Sequence, residues 1–444
     1  MTSSEFLASD SRLEPSGRPD IPAGACVGWD LAVVGLGYVG LPLVAGACGA
    51  GLKVVGLDVD AARVAGLNGG TSHVDDIDDA EVAALLTRGF RATTSAEVLA
   101  DCDTIVICVP TPLDDDYRPD LGAVTSAARM VAERLRPGAL VVLESTTWPG
   151  TTENIVLPIL ASSGLVAGRD FFLAYSPERI DPGNPEYGLR NTPKVVGGHT
   201  TACARRAVEF YSRVVDTVVP VIGTREAEMA KLLENTYRHV NIALMNEMAI
   251  FCDELGVDLW AAIDAAATKP FGFQAFRPGP GVGGHCIPVD PNYLSHAVRK
   301  LGYPFRFVEL AQEINERMPA YVAARVTRML NGQRKAVNGA RILLLGVTYK
   351  PDIADERETP ALPLARRLRS LGADLAYCDP FVPAWAVDGV SCPRAEDLAE
   401  ALAGADLVVL LQPHRSFDLD AVARHARLVL DTRGVLHGPR VERL

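Results

Sequence analysis

The feature that most narrows the fold is a glycine turn set between two apolar runs. Residues 31–34 (LAVV) lead into Gly35-Leu36-Gly37-Tyr38-Val39-Gly40, and a helical pattern follows. The next apolar run, 54–57, ends at Asp58, 18 residues after Gly40. Strand, G-x-G-x-x-G, helix and an acid closing the second strand together make a dinucleotide-binding βαβ unit. Gly35 permits the tight turn, Gly37 lets a pyrophosphate approach the backbone, and Gly40 lets helix and strand pack closely. Asp58 is placed to bond a ribose 2′-hydroxyl and to repel a 2′-phosphate, which predicts NAD rather than NADP. The rival reading, a turn that serves packing alone, leaves the spacing to Asp58 unexplained.

The alternation continues. Apolar runs at 104–109 and 140–143, with a helical segment at 121–135 between them, predict a parallel doubly wound sheet. From 224 to 255 the period changes: Met229, Leu232, Leu233, Tyr237, Val240, Leu244, Met245, Met248 and Phe251 recur at helical spacing. Thr224 is the expected N-cap, Glu226 and Glu228 suit the positive end, and Gly256 stops the helix. Such a helix spans ~48 Å. Its apolar positions cover more than one face, so a buried connecting helix and a helix that also carries a subunit interface both fit. Runs at 341–347, 373–377, 406–411 and 428–430 then predict a second α/β domain without a glycine turn. The expected division is a disordered tail at 1–27, a Rossmann domain at 28–222, a helical middle at 223–325 and a second Rossmann-like domain at 326–444.

The 444 residues suffice for two or three domains. A formal charge of −12 argues against general nucleic-acid or membrane binding, since both partners present negative surfaces. No apolar run reaches the ~20 residues that span a bilayer, and the first 27 residues have no apolar block like that of a signal peptide. Nine cysteines, mostly inside apolar runs, fit reduced thiols and a cytoplasmic location. No group of His and Cys has metal-ligand spacing, so no metal is expected.

Several strand ends carry candidate chemistry. Pro110 and Thr111, and Ser145-Thr146-Thr147, follow strands of the first sheet, where ligands of such sheets bind; ordinary turns read the same way. Lys231 and Asn235, at i and i+4, share a helix face and suit an oxyanion, or simply a solvated face. Glu178, in the turn Tyr175-Ser176-Pro177-Glu178-Arg179 after the run 171–174, is a general base or a surface charge.

The stretch PGPGVGGHCIPVD, 278–290, is the most unusual. Its glycines let backbone N–H groups face a phosphate and leave room around Cys286, which lies outside any apolar run in flexible backbone. A thiolate there adds to an aldehyde. The resulting thiohemiacetal can lose hydride, which an aldehyde does not readily do.

These residues resemble the nucleotide-sugar 6-dehydrogenases, the UDP-glucose, UDP-N-acetylhexosamine and GDP-mannose dehydrogenases. The resemblance runs from 28 to 444 through GLGYVGLP, CVPTPL, ESTTWPGTT, YSPERIDPGN, KLLENTYR, GPGVGGHCIPVDP, GVTYKPDIADERETP and LDTRG. It implies an NAD domain, a helical middle and a nucleotide-sugar domain, dimeric through the long helix. It also implies oxidation of a hexose 6-hydroxyl to a carboxylate with two NAD and one water. Cys286 then matches the nucleophile and Lys231 with Asn235 the oxyanion pair. Glu178 matches the glutamate of thioester hydrolysis, Asp290 an aspartate that orients water or lysine, and Thr146 a threonine beside the sugar. Tyr38, Val39, Arg63 and Arg357 fall on the cofactor side, with Pro110 and Thr111. Arg179, Lys350 and Arg433 fall on the substrate side, and the loop Phe276, Arg277, Pro278, Gly279, Gly281 and Gly284 holds the sugar diphosphate.

The chain has Asp181-Pro182-Gly183 where UDP-glucose enzymes carry a second acid. Its Pro-Glu-Arg, Lys-Pro-Phe-Gly-Phe and His-Cys-Ile-Pro wording is nearer the N-acetylhexosamine branch. The motifs fix neither the hexose nor uridine against thymidine. Two other functions compete: a two-electron hydroxyacid dehydrogenase, which has no use for Cys286, and a catalytically silent NAD or nucleotide-sugar sensor.

Overall fold

In a computed structural model the chain is described over residues 28–444, except 75, 114–118, 182, 285 and the side chain of Cys286. The expected tail at 1–27 lies outside the described residues. The apolar runs become strands because they are buried on both faces: residues 31–34, 54–57 and 140–143 are buried throughout. The first sheet has eight strands: β1 (Trp29–Val34), β2 (Val54–Leu57), β3 (Arg91–Thr93), β4 (Cys102–Ile107), β5 (Leu140–Leu143), β6 (Phe172–Tyr175), β7 (Lys194–Gly198) and β8 (Val218–Val221). Their order is β3-β2-β1-β4-β5-β6-β7-β8, parallel except for the β6–β7 pair. The order reverses at β1 and β4, so a crevice opens beyond their carboxyl ends. Helix α1 (Gly40–Gly49) leaves the glycine turn, and α2 (Thr201–Tyr211) packs on β7 and β6.

The long helix α3 spans Thr224–Leu255, 32 residues. Gly256 stops it in the left-handed conformation at φ 67°. The N-cap differs from expectation: it is Gly223, and the Thr224 hydroxyl is buried without a hydrogen-bond partner among the described residues. Gly223 takes the N-cap place in ordinary extended backbone, so the helix starts one residue earlier and takes the threonine inside.

Helix α4 (Cys286–Arg299) begins at Cys286, so that residue opens a helix rather than sitting at the tip of a flexible loop. Pro288 lies in its first turn, where a missing N–H costs nothing. Helix α5 (Arg306–Gly332) packs against α3 and runs without a break past residue 326. Its Met318, Val322, Val326, Met329 and Leu330 join the core of the second sheet.

That sheet takes β9 (Arg341–Leu345), β10 (Asp374–Cys378), β13 (Leu407–Leu410), β14 (Val429–Asp431) and β15 (Val441–Arg443), all parallel, in the order β10-β9-β13-β14-β15. A hairpin, β11 (Trp385–Val387) and β12 (Val390–Cys392), stands beside it. No helix among the described residues is long and apolar enough to cross a membrane.

Candidate active site

At the carboxyl end of β1, Gly35 turns at φ 94°, and a Cβ on Gly40 would lie 1.9 Å from the Gly35 carbonyl oxygen. Only glycine fits there. A Cβ on Gly37 would meet nothing within 4 Å, so the turn faces open space. Asp58, 5% exposed, accepts from the Leu36 amide at 2.8 Å and the Asp60 amide at 3.0 Å, and Arg63 Nη1 reaches it at 2.9 Å. Burial alone would raise this carboxyl, but the two amides and the guanidinium outweigh it and hold it below the usual range. The carboxylate is therefore braced against the very turn it serves. The open turn, the braced acid and a helix start without a side-chain cap fit an adenine dinucleotide.

Beside the turn, Arg357 lies 4.9 Å over the Tyr38 ring and is held by Asp355 at 2.9 Å. Val39 is partly buried and packs on the β1 core. Pro110 is exposed and Thr111 buried; the Thr111 carbonyl accepts the Tyr293 hydroxyl of α4. Thr146 is half-buried, and its neighbour Trp148 meets His296 of α4 at 6.0 Å. Helix α4 thus lies across the carboxyl ends of β4 and β5.

The same helix brings Asp290 to α3. Lys231, Asn235 and Asp290 are all buried, so the solvated-face reading of Lys231 and Asn235 is excluded. Asn235 Nδ2 donates to Asp290 Oδ2, and Arg238 donates to Asn235 Oδ1. The arginine fixes which way the amide faces, because only the oxygen can accept from it. Burial pushes the Asp290 carboxyl up to about 6, against the pull of Lys231, Asn235 and Arg238. Asp290 Oδ1 has no hydrogen-bond partner among the described residues. Glu228, one turn earlier on α3, accepts from the Gly150 amide at 2.5 Å and the Thr152 amide at 2.8 Å; burial lifts it to about 7.

The substrate-side candidates converge from three directions. The Gly279 amide donates to Asn246 Oδ1 of α3 at 2.8 Å, and Asn246 Nδ2 donates to Asn315 of α5 at 2.9 Å. A Cβ on Gly279 would meet Arg433 Nη1 at 3.2 Å, and one on Gly284 would strike the Tyr349 ring at 2.7 Å. Pro278 and Gly281 complete this loop, and the Gly284 amide donates to the Arg357 carbonyl at 3.0 Å. Lys350 pairs with Asp181 at 2.6 Å, tying the second sheet's loop to the strand exit that carries Glu178. Arg179 pairs with Glu234 of α3 at 2.8 Å. Two candidates stand farther out: Phe276 meets the Tyr237 ring, and Arg277 pairs with Asp264 at 2.5 Å.

Sequence reasoning missed Arg238, Asn246, Glu144 and Lys194. Arg238 and Asn246 had a signal, since they fall three and eleven residues after Asn235 on one helix. Glu144 and Lys194 had none, because sheet order alone brings them together.

Three family models cover the chain: the NAD binding domain of the UDP-glucose/GDP-mannose dehydrogenase family over 29–215, its central domain over 225–317, and its UDP binding domain over 343–438. The chain belongs to the UDP-glucose/GDP-mannose dehydrogenase family. It is an NAD-dependent nucleotide-sugar 6-dehydrogenase. The UDP-N-acetyl-D-glucosamine 6-dehydrogenase of Pseudomonas aeruginosa is 38% identical over 356 residues, 80% of this chain and 83% of that one. The UDP-N-acetyl-D-mannosamine dehydrogenase of Pyrococcus horikoshii is 34% identical over 418 residues, 93% of this chain and 97% of that one. The solved UDP-D-ManNAc dehydrogenase from Pyrococcus horikoshii superposes with a TM-score of 0.84 at 33% identity, over 93% of this chain and 98% of that one. In this dehydrogenase the UDP-binding model covers Lys350, Arg357 and Arg433, and the central model covers the loop from Phe276 to Gly284.

Proposed function

We propose that the enzyme oxidises the 6-hydroxyl of a UDP-linked N-acetylhexosamine to the carboxylate, through a thiohemiacetal and then a thioester on Cys286. The observation that carries this reading is the buried Lys231–Asn235–Asp290 cluster, built on α3 and on the helix whose first residue is Cys286. The N-acetylhexosamine choice is supported by the substrates named for the relatives above, which match most of the chain.

NAD, held by the turn from Gly35 to Gly40 and by Asp58, would supply the hydride acceptor. The chain's own groups do the rest. Lys231 brings a charge and Asn235 an amide donor to the oxyanion formed when the thiol adds to the aldehyde. Arg238 holds that amide in its donating orientation. A thiol on the first residue of a helix is favoured as thiolate, the form that attacks. Glu178 takes a proton from the water that opens the thioester. A two-fold dimer through α3 is part of the proposal: Leu233, Tyr237, Leu244, Phe251 and Leu255 form an exposed apolar stripe, Leu255 being 71% exposed.

The test is a nucleotide-sugar panel in which NADH is counted per sugar consumed. About two is expected with UDP-N-acetylhexosamines, as covalent catalysis of a four-electron oxidation requires. One would point to a two-electron dehydrogenase and none to a silent binder. Cys286→Ser should abolish uronate formation. Glu178→Gln should give a burst of about two NADH and then stall with the sugar attached to the protein, visible by intact mass.

A further inference from the structure

The reversal in the first sheet builds a buried charge cluster of which the reaction above uses only Glu178. Strand β7 runs antiparallel to β6 with Ala174 opposite Gly198 and Tyr175 opposite Gly197. Carried three residues beyond β6, that register sets Glu178 opposite Lys194, the first residue of β7. Lys194 is 3% exposed, and its Nζ lies 3.0 Å from Glu144 Oε1 and 3.8 Å from Glu178 Oε2. Glu144 follows β5, is 1% exposed, and accepts the Tyr211 hydroxyl of α2 at 2.5 Å. Glu178 Oε1 accepts the Ile180 amide, and Oε2 has no hydrogen-bond partner among the described residues.

The other titratable groups facing the cluster are Cys108 beyond β4 and Tyr175 of β6. Tyr175 in turn feels Glu228 of α3 and Asp290 of α4. Burial would lower the Lys194 ammonium, but Glu144 and Glu178 outweigh it and hold it above the ordinary lysine range. Two carboxylates and one ammonium leave one negative charge over. Glu144 Oε1 takes both the nearer contact with the ammonium and the Tyr211 hydroxyl, and burial raises the Glu144 carboxyl; Glu144 Oε2, like Glu178 Oε2, has no hydrogen-bond partner among the described residues.

We propose that Lys194, anchored by Glu144, is a positioning residue that keeps Glu178 an unshared carboxylate, ready to take the proton of the hydrolytic water. The inference rests on the reading of Glu178 as the hydrolytic base. In that step the water oxygen bonds to the thioester carbon while its proton passes to Glu178 Oε2. The C–S bond then breaks and the electron pair leaves on the Cys286 sulfur as thiolate. No electrons change hands between centres, and Lys194 neither gives nor takes a proton. Without the ammonium, Glu144 and Glu178 would face each other in a buried site. Two such carboxylates cannot both ionise, so they would share one proton and the base would already be spent.

The test compares Lys194→Met, Lys194→Arg, and Lys194→Met combined with Glu144→Gln, by pH profile of turnover, NADH burst and intact mass. Lys194→Met should keep the burst, accumulate the Cys286 adduct at neutral pH, and move the acid limb of turnover up by about 1–3 pH units. Lys194→Arg should restore the wild-type limb. The double variant removes one charge of each sign, so its acid limb should return toward the wild type; a merely structural role, which restores only the amount of folded enzyme, would leave the limb where it was. A Lys194→Met profile like the wild type, or a double variant no better than the single, overturns the proposal. If Lys194→Met fails to fold, the double variant decides: a double variant that also fails to fold or turn over overturns the proposal. Glu178→Gln separates the two layers. If it leaves turnover unchanged, the base assignment falls, and this inference with it. If it stalls with an adduct while Lys194→Met keeps the wild-type acid limb, only the role of Lys194 falls.

Discussion

Replacing Asp290 with asparagine should flatten part of the enzyme's stability-versus-pH curve, by an amount the burial of that carboxyl sets. The side chain is 1% exposed, and burial lifts it from 3.8 to about 6. A group raised on folding favours the folded state fully below its unfolded value, and that contribution is lost as pH climbs through its folded value. The window here runs from about 4 to about 6, and stability falls across it. A shift of about two units corresponds to roughly 3 kcal/mol. The assay is urea unfolding of wild type and Asp290→Asn at intervals from pH 4 to pH 8, at one fixed protomer concentration so that association does not enter. The asparagine leaves a buried amide short of a partner, a pH-independent loss of about 1–3 kcal/mol that offsets the whole curve without changing its slope. Subtracting the two curves also cancels Glu228, which is pushed up to about 7 and titrates near the same range. The difference should therefore rise by about 3 kcal/mol in the variant's favour between pH 4 and pH 8. A difference that stays level would refute the argument that burial dominates Asp290. One that falls would mean Lys231 dominates instead.

Three further outcomes are expected. Asp58→Ala should shift the NAD to NADP ratio of kcat/KM toward NADP by about fivefold at the least, since a facing charge at short range is worth about 1–4 kcal/mol; an unchanged ratio would remove Asp58 from the cofactor site. Leu233→Arg combined with Leu244→Arg, both on the exposed stripe of α3, should give monomers in sedimentation, and an undisturbed dimer would move the interface elsewhere. Glu228→Gln should lower stability by about 1–3 kcal/mol, because its amide would face the Gly150 N–H and leave a buried donor unpaired; thermal unfolding measures this.

What the sequence made legible follows from range. The glycine turn, Asp58 and the pair Lys231–Asn235 are set by local periodicity, and α3 ends where its 3.6-residue pattern and Gly256 dictate. The start of α4 at Cys286 was hidden by glycines before it and two prolines within six residues, which read as loop although proline suits a first turn. Thr224 reads as the cap because threonine and glycine are comparable N-cap types and nothing local decides between them. Glu144 and Lys194 are 50 residues apart in the chain, and nothing local distinguishes either from a strand-end surface charge. Their meeting depends on one strand running against its neighbours, which apolar runs do not encode.

Helix α4 sets a length as well as a place. It carries Cys286 at its start, Asp290 one turn on, Tyr293 gripping the Thr111 carbonyl, and His296 against Trp148. From Cys286 to Tyr293 is seven residues, about 10 Å along the axis and close to two turns. Residue 286 and the contact at the Thr111 carbonyl are therefore spaced by one helix, not by two loops that settle independently. One residue inserted between Asp290 and Tyr293 would swing everything beyond it through about 100°. On the proposed mechanism, the spacing between residue 286 and the cofactor domain is thus written into the count of residues on one helix.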